Sequence, residues 1–84
     1  MEFDMLYYDL VPIYDGRKSF YGKARVVEDE DGKTLISYTT KVCRIDRDGN
    51  VERLWSGNSQ TTNRHVKEFL RQNGKDYEDY RRQG

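Results

Sequence analysis

Ser59-Gln60-Thr61-Thr62-Asn63-Arg64-His65-Val66-Lys67-Glu68-Phe69-Leu70-Arg71-Gln72-Asn73-Gly74 is the stretch that decides the fold. Thr62, Val66, Phe69, Leu70 and Asn73 recur at i, i+4, i+7, i+8 and i+11, the spacing of one face of an α-helix. Ser59 or Thr61 can accept a hydrogen bond from a free N–H of the first turn, and Gly74 suits the left-handed residue that ends a helix. The opposite face carries Arg64, Lys67, Glu68 and Arg71, with Lys75 just past the end. A helix with one apolar stripe needs an apolar surface to cover, and the residues before it supply a sheet.

Four extended segments precede the helix. Met5 to Tyr14 is rich in Tyr, Leu, Val and Ile, and Pro12 inside it marks an edge strand or an irregularity. Asp15-Gly16 is a turn signal. In Phe20 to Glu28, Phe20, Gly22, Ala24 and Val26 share one face, and the small Gly22 and Ala24 allow close approach of another backbone. Asp31-Gly32 fits a hairpin. Thr34 to Ile45 is the longest strand candidate; neither of its faces is purely apolar, so a bulge is expected to switch its phase. Asp46-Arg47-Asp48-Gly49-Asn50 is the next hairpin loop, and Val51 to Trp55 a short fourth strand. The expectation is an α+β fold: an antiparallel β-meander of about four strands packed against one C-terminal helix. Residues 1–74 form the domain, and residues 75–84 a polar C-terminal tail that frays or continues as helix, with Tyr77 and Tyr80 at i, i+3.

The 84 residues have room for one core. Apolar residues make up 35% and charged residues 36%, so the 13% of aromatics must supply much of the buried area. Lys and Arg number 15, as do Asp and Glu, which argues against a general polyanion binder. The signs are nevertheless blocked: Glu2, Asp4, Asp9 and Asp15 come before any base, Arg17, Lys18, Lys23 and Arg25 follow, and then Glu28-Asp29-Glu30-Asp31. The single Cys43 excludes an internal disulfide. The acidic start Met1-Glu2-Phe3-Asp4 is unlike a signal peptide, and no apolar run approaches the ~20 residues of a membrane span. A cytoplasmic protein without membrane contact is the expectation.

No motif supplies catalysis. Cys43 and His65 could meet if the helix crosses the third strand, but nothing provides an oxyanion hole or a third orienting group. One Cys and one His do not make a zinc site. Asp46-x-Asp48-x-Asn50 opens like a calcium loop, yet Val51 stands where Gly belongs and Gly57 where Glu belongs. No catalytic residue, metal or cofactor is expected. Gly57 to Thr62 offers backbone N–H groups at a helix start with Arg64 nearby, which suits phosphate but is not a P-loop, and ordinary capping accounts for it. The basic ridge Arg64, Lys67 and Arg71, with Tyr7, Tyr8, Tyr14 and Tyr21, has the ingredients of a nucleic-acid surface. Trp55, if exposed, is a natural anchor for a protein partner. The acidic run Glu28, Asp29, Glu30 and Asp31 is the other candidate surface, and an exposed edge strand from the first segment would allow a homodimer as well as a monomer.

Ser19-Phe20-Tyr21-Gly22-Lys23-Ala24, Ser37 to Ile45, Leu54-Trp55-Ser56-Gly57 and Thr61 to Leu70 together resemble a family of small uncharacterised proteins from phages, plasmids and other mobile elements of Gram-positive gut bacteria. The resemblance covers roughly residues 19–74. It implies a context and no activity: proteins of this kind often bind host machinery, and some inhibit defence nucleases, as anti-CRISPR proteins do. Many of those are strongly acidic nucleic-acid mimics, unlike this neutral chain. The expected function is a non-catalytic binding protein of a phage or mobile element that engages a host protein, with inhibition of a defence nuclease as one form of that engagement. The alternatives are a nucleic-acid-binding accessory factor using the basic helix face and, less simply, a Cys-dependent activity.

Overall fold

The computed structural model describes residues 5–84, so the reading of Met1 to Asp4 lies outside the described residues. Five antiparallel strands form one sheet in sequence order: β1 (Leu6–Asp9), β2 (Ala24–Asp29), β3 (Gly32–Ser37), β4 (Thr40–Asp46) and β5 (Val51–Arg53). Two helices follow, α1 (Gln60–Gln72) and α2 (Tyr77–Arg81). The meander with a C-terminal helix is as the sequence predicts.

The fifth strand comes from dividing Thr34 to Ile45. Ser37 pairs with Thr40 across a two-residue turn, Tyr38-Thr39, in which Tyr38 holds a positive φ of 58°. Such turns favour Gly, Asn or Asp, so a Tyr-Thr pair inside a β-rich run gives no turn signal. The expected bulge is present as well. The register shifts between Leu35 and Ile36, which pair with Cys43 and Lys41, so Val42 is the extra residue. Val42 and Cys43 are consecutive and both buried, as a change of phase requires.

The first expected strand is shorter than predicted, Leu6–Asp9 rather than Met5 to Tyr14. The chain leaves the sheet after Leu10, and residues 11–23 form a long connection to β2. Gly22 adopts φ +72°, and a Cβ there would have nearly 4 Å of room. It serves a backbone conformation and not the close approach expected of it.

The core lies between one sheet face and α1. Ala24, Val26, Leu35, Val42, Cys43 and Ile45 meet Val66, Phe69 and Leu70, with Leu10 and Phe20 closing one end. Ser59 caps α1 by accepting from the Thr62 N–H, and Gly74 follows the helix at φ +69°. The other sheet face carries Tyr7, Arg25, Val27, Thr34, Ile36 and Arg44, all half-buried or exposed.

Residues 75–84, expected as a polar tail, pack onto the domain. Asp76 caps α2 by accepting from the Glu78 N–H. Tyr80 is wholly buried in the core, and the Arg53 guanidinium lies 4.4 Å from the centre of its ring. Gln83 then runs its amide along the outer edge of β5. It accepts from the Arg53 N–H at 2.9 Å and donates to the Val51 carbonyl at 2.8 Å. One edge of the sheet is thereby closed.

Candidate functional site

The β1–β2 connection is held by Glu68. The helical pattern places this residue on the solvated face, but it is 3% exposed because residues 11–15 lie over it. Its carboxylate accepts from the N–H groups of Ile13 (2.9 Å), Tyr14 (3.1 Å) and Asp15 (2.7 Å), and from the Gln72 amide (2.6 Å). Gln72 also donates to the Val11 carbonyl at 2.7 Å. Burial pushes the Glu68 carboxyl upward, but these donors outweigh it and hold the group below the ordinary carboxylate range.

The anchored connection delivers Tyr14, Asp15, Arg17, Ser19 and Tyr21 to the N-terminal half of α1. Two adjoining clefts result, sharing Gln60 and Arg64. One, of about 320 Å³, lies along the helix and is lined by Tyr14, Lys67, Glu68 and Arg71. The other, of about 240 Å³, lies over the helix start and is lined by Arg17, Lys23, Tyr21, Tyr38 and His65. The helix ridge predicted from sequence is present, and each cation has a neighbour from its own chain. Arg64 pairs with Asp15 at 3.5 Å, Lys67 lies 5.0 Å from the Tyr77 ring and Arg71 4.7 Å from the Tyr14 ring. The structure adds Arg17 and Lys23 to this surface, from a basic block more than 40 residues away in sequence. Tyr21 and Tyr38, 77% and 50% exposed, rim the second cleft, and both hold positive φ (55° and 58°). That conformation costs an L-residue roughly 1–2 kcal/mol.

Beneath the second cleft is a buried polar cluster. Ser37 Oγ lies 2.9 Å from both Thr62 Oγ1 and His65 Nδ1, tying the Tyr38 turn to the first turns of α1. Burial lowers the His65 pKa; Asp15 opposes this, and Lys23, Arg17 and Arg64 reinforce it. Cys43, the other member of the nucleophile pair weighed above, makes no hydrogen bond to His65 among the described residues. Burial raises its thiol to about 12, far from a thiolate at neutral pH. Native protein is expected to react with a thiol-specific disulfide reagent only as fast as it unfolds, and rapid stoichiometric labelling at pH 8 would contradict this.

The acid response follows from the same groups. A folded-state pKa below the unfolded value means that protonation favours the unfolded chain. The stability carried by neutral His65 is complete above its unfolded value of about 6.5 and is lost as pH falls below it. The contribution of Glu68 is complete above about 4.3 and is lost as pH falls further. Melting temperature is therefore expected to fall in two stages between pH 7.5 and pH 3. A midpoint constant or rising from pH 7.5 to 5 would contradict the His65 assignment.

The acidic run does not form a single surface. Glu28 pairs with Lys33 at 3.3 Å, and Lys33 also donates to the Asn73 side chain at 2.8 Å, which binds the hairpin to the end of α1. Asp29 accepts from the Asp31 N–H within the turn. Only Glu30 and Asp31 face fully outward. The calcium-like loop is a hairpin turn in which Asp46 accepts from the N–H groups of Asp48 and Asn50. Trp55 is partly buried against the core, under Gly57, and its carbonyl accepts from Arg53 Nε at 2.8 Å.

A continuous apolar exposure lies on the first segment, which the sequence offers as an edge strand and as a source of tyrosines. Met5, Leu6, Tyr7, Tyr8, Val11, Ile13 and Tyr14 are between 41% and 70% exposed. All four residues of β1 are exposed. Leu10 donates to the Ala24 carbonyl, so the alternation of an antiparallel ladder turns Leu6 and Tyr8 inward and leaves the backbone groups of Tyr7 and Asp9 pointing away from the sheet. The sequence marks this segment as an exposed edge strand, and among the described residues β1 is an edge of the sheet.

Residues 8–83 match the model of a family of unknown function, DUF8033. No curated protein and no solved structure matches the chain.

Proposed function

We propose that this chain, which belongs to the DUF8033 family of unknown function, is a non-catalytic binding protein of a phage or mobile element that engages a host protein by adding a partner strand to β1. The observation that carries this reading is the asymmetry of the sheet edges. Gln83 caps the backbone of β5, whereas among the described residues no group bonds the outer backbone of β1, which has a row of large apolar side chains beside it. Sheet proteins normally blunt both edges, because an open edge recruits other strands. Strand addition draws affinity from main-chain hydrogen bonds and specificity from alternate side-chain positions.

Charge chooses between a second copy and a foreign partner. The first fifteen residues hold Glu2, Asp4, Asp9 and Asp15 and no base. β1 itself carries Asp9, beside Arg25 at 3.6 Å, and no base, so self-pairing brings no new cation to this segment, whereas a basic extended segment meets complementary charge. Inhibition of that host protein, as in the defence-nuclease context of the resemblance, follows if its basic segment is needed for its own function.

Replacing Asp9 with proline tests the reading, since it removes an outward donor and leaves the ladder to β2 intact. A host protein captured by the unaltered chain, and lost with Asp9→Pro at unchanged melting temperature, is the expected result. Capture unaffected by Asp9→Pro would overturn it. So would a chain that doubles its mass at micromolar concentration unless Asp9 is proline, which would assign the edge to a second copy.

A further inference from the structure

We propose that the cleft between Arg17, Lys23 and Arg64 binds a backbone phosphate of single-stranded nucleic acid, with Tyr21 and Tyr38 stacking on the flanking bases. The site uses none of the β1 edge groups and stands or falls separately from the strand-addition reading.

Three cations from two segments line this cleft: the β1–β2 connection gives Arg17 and Lys23, and α1 gives Arg64. They gather at the positive end of a helix whose first turn contains no acidic residue. Asp15 offsets part of this charge through Arg64, but among the described residues Arg17 and Lys23 have no carboxylate partner. The concentration of like charge is unfavourable by itself and becomes favourable around an anion.

His65 points to the same ligand independently. The residue is 1% exposed, and its Nδ1 is occupied by Ser37. Its Nε2 has no hydrogen bond among the described residues, and the ring lines the cleft. In the tautomer in which Ser37 donates to Nδ1, the neutral ring carries its proton on Nε2 and presents a donor to an anion.

The tyrosines extend the site beyond a single phosphate. Tyr21 and Tyr38 occupy left-handed positions where Gly or Asn would be less strained, and they hold exposed rings at the rim. Strain kept at an exposed rim is a recurrent mark of a binding site. Phenol rings beside a cationic groove suit unpaired bases, whose faces are free to stack.

His65 is the single histidine of the chain, so its ring protons give one resolved nuclear magnetic resonance reporter inside the site. Titration with an oligothymidylate at low salt is expected to shift these resonances, and added salt should reverse the shift. Arg17→Glu combined with Lys23→Glu, both at exposed positions, should weaken binding at least tenfold at unchanged stability. Tyr21→Gly should weaken it about tenfold without loss of stability. An absence of shift at low salt, or a shift undiminished by the double charge reversal, would overturn the site. Equal affinity for duplex would overturn the stacking role. Equal affinity for inorganic phosphate would overturn the nucleic-acid assignment and leave a free-phosphate site.

Discussion

Glu68→Ala is expected to destabilise the domain by about 3 kcal/mol, a large share of the total for a chain of this size. The carboxylate accepts three backbone N–H groups of the β1–β2 connection and the Gln72 amide, from a position almost sealed from water. Hydrogen bonds to a charged acceptor are among the stronger ones, and removing the acceptor leaves several donors without a partner. At roughly 4–8 °C per kcal/mol, the melting temperature should fall by more than 10 °C. Glu68→Gln keeps the shape and one carbonyl acceptor, so it should cost less. The same three bonds position Tyr14, Asp15 and, two residues on, Arg17, so the proposed nucleic-acid site should weaken with the fold. Urea denaturation measures the effect. A cost below about 1 kcal/mol would show that the connection is held by something other than Glu68.

Tyr80→Ala should cost about 3–5 kcal/mol, the range for removing a large aromatic side chain from a core. Tyr80 is fully buried, its ring is covered by the Arg53 guanidinium, and α2 places Gln83 over the edge of β5. Loss of Tyr80 therefore weakens the core and also uncovers the second sheet edge. Self-association at raised protein concentration should accompany the loss of stability. Truncation after Gly74 should behave similarly. A shortened chain as stable and as monomeric as the full one would contradict the assignment of residues 75–84 to the packed domain.

The helix was legible in full because its cap, its stripe and its terminal glycine all lie in consecutive residues and obey local rules. The meander was legible for the same reason wherever Gly or Asp marked a turn. It failed at Tyr38-Thr39, where the chain turns with residues that favour strands. Glu68 and Tyr80 were misplaced for a different reason. Helical periodicity says which face of α1 meets the sheet, but not that a connection more than 50 residues earlier folds over the other face. Nor does a segment rich in charge reveal that one of its tyrosines completes the core. Of the candidate surfaces, the basic ridge was readable, whereas its union with Arg17 and Lys23 depends on the path of that connection. The edge position of β1 was readable from Pro12, whereas the capping of the opposite edge by Gln83 depends on how residues 75–84 pack.

The claim that β1 is an open docking strand can be tested amide by amide with hydrogen exchange. In the isolated chain, Tyr8 and Leu10 should be protected by the ladder to β2, while Tyr7 and Asp9 exchange at the rate of an open peptide. In the complex with the captured host protein, all four should be protected. Protection of Tyr7 and Asp9 in the isolated chain, or their continued rapid exchange in the complex, would contradict strand addition at this edge.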